Sequence, residues 1–207
     1  RQYTRDADGC VCVSGVPVTE LARQYGTPSY VLDERTFRER ARAFREAFED
    51  ALRPLGIEVA VFYASKALLT TAVVGWATEE GLNVDTASGG ELAVALAAGV
   101  DPARIALHGN NKSAAELELA LRVGVGRIVV DSLAEIELLS GLARDRGTRA
   151  PVMIRVTPGV HASTHEFIAT AHEDQKFGLS LNPARDGEDS PALTAVAACL
   201  EASDALD

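Results

Sequence analysis

Apolar residues return along this chain in short runs at nearly even intervals. The runs centre near Val61, Val84, Leu107, Val129 and Ile154, which places them 23, 23, 22 and 25 residues apart. One strand plus one crossover helix has about that length, so the pattern predicts five βα units of a parallel sheet. Runs such as Arg127 to Asp131 and Pro151 to Val156 are continuously apolar rather than alternating, as expected of strands covered on both faces. Helix starts fall where this scheme needs them: Ser88 with Glu91, Ser113 with Glu116, and Ser132 with Glu135 each have capping-box spacing. A further helix is expected from Pro191 to Leu206, leading toward a sixth strand.

The first 33 residues do not share the period. They predict a short helix from Thr19 to Tyr25 stopped by Gly26, then a strand from Ser29 to Leu32. The helix from Glu34 to Leu52 carries Phe37, Ala41, Phe44 and Phe48 on one stripe, which predicts a packed face. Its arginines, Arg35, Arg38, Arg40, Arg42 and Arg45, alternate with Glu34, Glu39, Glu46, Glu49 and Asp50 and read as a solvated, charge-paired side. Domain boundaries are therefore expected at 1–33 and 34–207.

Composition narrows the partners. The 207 residues are 47% hydrophobic with a net charge of −10, which suits a core-forming α/β protein that takes small molecules and argues against a nucleic-acid or anionic-membrane surface. Cys10, Cys12 and Cys199 are odd in number and lack zinc-site spacing, so free thiols in the cytoplasm are expected. These 207 residues hold no eighteen-residue apolar stretch and no basic-then-apolar leader, so neither membrane spanning nor secretion is expected. The chain starts at Arg1 and its sole methionine is Met153, so a preceding start is expected.

Lysine is the scarcest charged residue: only Lys66, Lys112 and Lys176 occur among 20 basic residues. Lys66 ends the run Val59 to Ser65. An amine where a buried strand empties into a turn can be desolvated, which lowers its pKa and frees the lone pair a Schiff base needs. The same placement also describes a lysine snorkelling at a strand end. Lys66, Asp85, His108, Asp131 and Arg155 all fall at the carboxyl ends of the expected strands, the edge where parallel α/β folds carry chemistry. A (β/α)₈ barrel and a doubly wound sheet both accept such units; no G-x-G-x-x-G follows the first strand. The connection from Thr157 to Phe177 holds His161, His165 and His172 with Glu166 and Glu173, in no metal-ligand pattern, and reads as a polar functional loop; no metal is expected.

Seven motifs in order carry a resemblance. Tyr63-Ala-Ser-Lys-Ala67, Val84-Asp85 with Ser88-Gly-Gly-Glu-Leu92, His108-Gly-Asn-Asn-Lys112, Val130-Asp-Ser132, Arg155-Val-Thr-Pro-Gly159, Thr164-His165-Glu-Phe-Ile168 and Lys176-Phe-Gly178 together resemble the diaminopimelate decarboxylase family. That family belongs to the alanine-racemase-like, pyridoxal-phosphate-dependent barrel enzymes, and the resemblance runs from about Gly15 to Leu181. It implies an α/β fold, a (β/α)₈ TIM-type barrel with about five βα units present here and an N-terminal segment belonging to a β-domain. It also implies decarboxylation of meso-diaminopimelate to L-lysine by a cytoplasmic homodimer, with Lys66 as the Schiff-base lysine and Asp85, His108 and Arg155 lining the pyridoxal phosphate pocket. Phosphate-binding loops, a partner for the pyridine nitrogen and an interface cysteine and tyrosine are expected after Asp207, so this segment alone is expected to bind cofactor poorly and not turn over. A decarboxylase of arginine or ornithine, an amino-acid racemase, and a non-catalytic pyridoxal-phosphate-binding relative remain open.

Overall fold

A computed structural model describes residues 3–158, 177–183, 185 and 187–207. The chain divides into two compact units: the described residues of Arg1–Phe62 with Gly75–Leu82, and those of Tyr63–Val74 with Asn83–Asp207.

The first unit opens with a small antiparallel sheet of β1 (Tyr3–Arg5), β2 (Val11–Val13) and β3 (Val16–Pro17), in that order. Helix α1 (Val18–Tyr25) follows, stopped as expected at Gly26, whose φ of 81° suits glycine. The expected strand at Ser29 to Leu32 does not form. A strand exists only where a neighbour accepts its hydrogen bonds, and among the described residues these pair with none, leaving Tyr30, Val31 and Leu32 exposed. Helix α2 (Glu34–Leu52) begins where the sequence places it because Asp33 accepts from the Thr36 N–H. Its apolar stripe is only half used: Ala41 is buried and Phe37 meets Trp76 at 5.9 Å between ring centroids, whereas Phe44 and Phe48 are exposed. The charged side holds ion pairs rather than bare solvent, with Arg38 on Glu34 and Glu79, Arg42 on Glu80, and Arg45 on Glu49. An open hollow of about 630 Å³ beside these arginines is therefore charge-compensated.

The second unit carries the periodic strands. β4 (Phe62–Ala64), β5 (Asn83–Thr86), β6 (Ile105–Leu107), β7 (Arg127–Val130) and β8 (Val152–Ile154) lie side by side in chain order. The pairs from β5 to β8 are parallel. A doubly wound sheet reverses its order at a switch point; this sheet does not, so every crossover steps the same way, as in a barrel. Helix α3 (Thr71–Glu79) is divided between the two units after Val74, helices α4 (Gly89–Ala97), α5 (Ala114–Val123) and α6 (Leu133–Arg146) alternate with the strands, and α7 (Pro191–Glu201) follows the pair β9 (Val156–Thr157) and β10 (Leu179–Ser180). Helix α7 ends at Glu201, short of the expected Leu206, and Leu206 instead forms an isolated parallel bridge to Ala150.

The core is the interface of these strands and helices: Val84, Leu92, Ile105, Leu107, Leu117, Ile128, Val130 and Leu139 are within 1% of complete burial. β6 is buried throughout and β7 from Ile128 onward, as continuous apolar runs require. β8 departs from this, because Met153 faces the cleft described below and is 45% exposed.

Of the three expected capping boxes, Ser113 with Glu116 closes reciprocally. At the other two the serine caps its helix, but the carboxylate reaches one residue further back, Glu91 to the Ala87 N–H and Glu135 to that of Asp131. Glu116 also takes the Gly89 N–H at the start of α4, at 2.7 Å. These donors, Ser113 first and Gly89 next, hold the Glu116 carboxyl below its ordinary value. A depressed folded-state pKa adds stability above the unfolded value that disappears as pH falls through the folded one. Glu116→Gln is therefore expected to cost about 1 kcal/mol at neutral pH and progressively less in acid, measured by denaturant unfolding across pH.

Candidate active site

The carboxyl ends of the strands meet in an open cleft of about 470 Å³, a volume within the usual range of small-ligand sites. Its polar lining is Lys66, Asp85, His108 and Arg155, and its apolar lining includes Val129, Met153, Ile154 and Phe177. Each polar residue arrives by the same local rule. Asp85 lies within β5, while His108 and Arg155 directly follow β6 and β8. Lys66 sits in the single helical turn Ser65–Ala67 that ends β4. In a βα unit those positions share one edge of the sheet, so four residues spread over 90 positions of sequence converge.

The turn at Ser65–Ala67 also decides which side chain is buried. Ser65 goes inward and is 1% exposed, while Lys66 projects over the cleft and is exposed. The burial of this amine that the sequence suggested is thus not found among the described residues. Asp85 lies 3.6 Å from His108 Nε2. Burial pushes the Asp85 carboxyl above its ordinary value, against His108, Lys66 and Arg155, which pull it down. Burial likewise lowers His108, outweighing the attraction of Asp85, so the imidazole is mostly neutral at pH 7.

Asp131, the fifth polar strand end, does not line the cleft. It is buried behind it, accepts the Gly178 N–H at 2.9 Å, and stands 3.5 Å from the Arg155 guanidinium. Arg155 lies over the Phe177 ring at 4.6 Å from its centroid. Nothing in the pattern of apolar runs signals Phe177; only its place in the motif Lys176-Phe-Gly178 does. Gly109 lines the cleft with φ at +114°, and a Cβ there would stand 3.1 Å from the Ala87 carbonyl oxygen. His161, His165, His172, Glu166, Glu173 and Lys176 lie outside the described residues. Among the described ones, no group of three or more metal-ligating side chains comes together, and no helix is long and apolar enough to cross a membrane.

An amine, a guanidinium, a carboxyl and a mostly neutral imidazole around an apolar floor suit a flat, anionic aldehyde. Residues 34–201 match the family model of the pyridoxal-dependent decarboxylases, pyridoxal binding domain. The chain belongs to that family. Among pyridoxal-dependent decarboxylases, the diaminopimelate decarboxylase of Mycobacterium tuberculosis is 54% identical over 181 residues, 87% of this chain and 39% of that protein. That of Corynebacterium efficiens is 50% identical over the same length, 38% of that protein. The diaminopimelate decarboxylase of M. jannaschii, in co-complex with L-lysine, superposes with a TM-score of 0.87 at 30% identity, covering 99% of this chain and 46% of that one. The chain thus spans about two fifths of the length of the curated decarboxylases it matches. The family fixes the architecture as well: the sequential parallel strands are βα units of a decarboxylase barrel.

Proposed function

We propose that the whole protein carrying this chain decarboxylates meso-2,6-diaminopimelate to L-lysine and carbon dioxide with pyridoxal phosphate, the last step of lysine biosynthesis, as a cytoplasmic homodimer. Residues 34–207 contribute the cofactor-binding barrel and residues 1–33 belong to a β-domain. The observation that carries the reading is the opening of the Lys66 amine onto one cleft with Asp85, His108 and Arg155. Relatives at 50–54% identity named for that reaction support the choice of substrate.

Bound in the cleft, pyridoxal phosphate supplies an aldehyde for an amine and a ring that takes up the electrons a departing carboxylate leaves behind. Lys66 is the anchoring nitrogen, since among the described residues it is the amine that lines the cleft. Asp85 sets the charge beside it; its raised pKa lets it hold a proton more readily than an exposed aspartate. Arg155, braced by Asp131 and flattened on Phe177, presents a fixed cation to an anionic group. His108, mostly neutral, forms a polar rim without adding positive charge.

Borohydride reduction in the presence of pyridoxal phosphate is expected to fix the label on Lys66, read by peptide mapping. The whole protein is then expected to release lysine from diaminopimelate. A label on another lysine, or putrescine from ornithine or agmatine from arginine as the product, would sink this assignment.

A further inference from the structure

The charged residues buried among the described residues are Lys112, Glu135 and Asp131, and they touch in a row. Lys112 lies in the loop between β6 and α5 with its side chain 2% exposed. Its Nζ donates to the carbonyls of Gly109 and Val129, each at 2.7 Å, and pairs with Glu135 Oε1 at 2.6 Å. Two carbonyls that accept from it and a carboxylate paired with it make this a site for the charged amine. Glu135 Oε2 accepts the Asp131 N–H at 3.2 Å, and Asp131 in turn braces Arg155 and Gly178.

Stability alone is a weak reason for such a pair. Taking two ions out of water costs several kcal/mol each, and a well-packed apolar pair of similar volume often serves a fold as well. What the pair touches is more informative. Gly109 and Val129 both line the cleft, and so does Arg155 at the far end of the row, whereas Lys112 itself does not. One buried ammonium therefore ties two stretches of cleft backbone together, from adjacent strand ends, and through Glu135 and Asp131 orients the guanidinium opposite.

We propose that the Lys112–Glu135 pair is a positioning device for the cofactor cleft, holding the Gly109 and Val129 backbone and the Arg155 side chain in the arrangement that binds pyridoxal phosphate. This rests on the reading of the cleft given above. Lys112 acts through the groups it holds and touches no reacting atom.

The test separates positioning from mere support. In the whole protein, Lys112→Met leaves Glu135 buried without its partner and is expected to lower both the thermal midpoint and the affinity for pyridoxal phosphate, followed by absorbance titration. The double variant Lys112→Met/Glu135→Leu removes both charges and is expected to regain most of the midpoint while binding pyridoxal phosphate on the order of tenfold more weakly than the parent. A purely structural pair would restore affinity along with the midpoint, and a folded double variant with parental affinity overturns the proposal. Should the double variant not fold, Glu135→Gln, which keeps shape and hydrogen bonding, decides in its place: weaker binding supports positioning and parental binding refutes it. Lys66→Ala, run in parallel, reports on the cleft itself; a reducible adduct persisting there would refute the cofactor reading independently of Lys112.

Discussion

Lys66→Ala is expected to abolish the reducible pyridoxal phosphate adduct and to lower kcat/KM of the whole protein by on the order of 10⁴ or more, the scale seen when a covalent nucleophile is removed. The reason is geometric. Among the described residues, Lys66 is the amine that lines the cleft. Lys112 does not stand in for it, because its ammonium is enclosed, donates to the Gly109 and Val129 carbonyls and is paired with Glu135. The same substitution is expected to leave the thermal midpoint nearly unchanged, since Lys66 is exposed and packs no core. Loss of activity accompanied by a large drop in midpoint would point to a structural lysine; activity surviving the substitution would refute the anchor.

A large loss of stability is also expected for Gly126→Ala, just before β7. Gly126 donates its N–H to the Pro102 carbonyl at 2.9 Å, which presses the turn before β7 against the turn before β6. A Cβ at this position would stand 2.0 Å from the Ala103 carbonyl oxygen and 2.8 Å from its carbon. Both neighbours are backbone, so no side chain can swing aside, and relief requires separating two adjacent strands at their entry. A cost of about 3 kcal/mol is expected, at the upper end of overpacking. The midpoint of the whole protein is expected to fall correspondingly, read by thermal melting. Gly141→Ala is the control, because a Cβ there meets nothing within 4 Å and its helical position favours alanine. An unchanged midpoint for Gly126→Ala would show that the two turns are not in such close contact.

Much of the candidate site was legible because it is local. Helix α2 runs from Glu34 to Leu52 as the pattern requires, and the three serines at 88, 113 and 132 cap α4, α5 and α6. The strand-end rule gathers Lys66, Asp85, His108, Asp131 and Arg155 on one edge, since a parallel βα repeat directs the carboxyl end of every strand there; the narrower set Lys66, Asp85, His108 and Arg155 came from the family resemblance. The Ser29 to Leu32 strand failed for the complementary reason: its composition favours extension, but strand formation needs a partner that composition does not supply.

By itself, then, the amino-acid order determined the periodic βα repeat, the helix starts and the edge on which the polar strand ends gather, all of which depend on neighbours within one turn or one strand. Tertiary structure alone decided that the strands lie in sequential order rather than about a switch point. It also decided that the buried amine is Lys112 rather than Lys66, and that Asp131 braces Arg155 from behind instead of facing the cleft. Those outcomes rest on partners such as Val129 and Gly178, 17 and 47 residues from the groups they bind. Burial and pairing over such separations are set by which surfaces the folded chain brings together, and no local pattern records that.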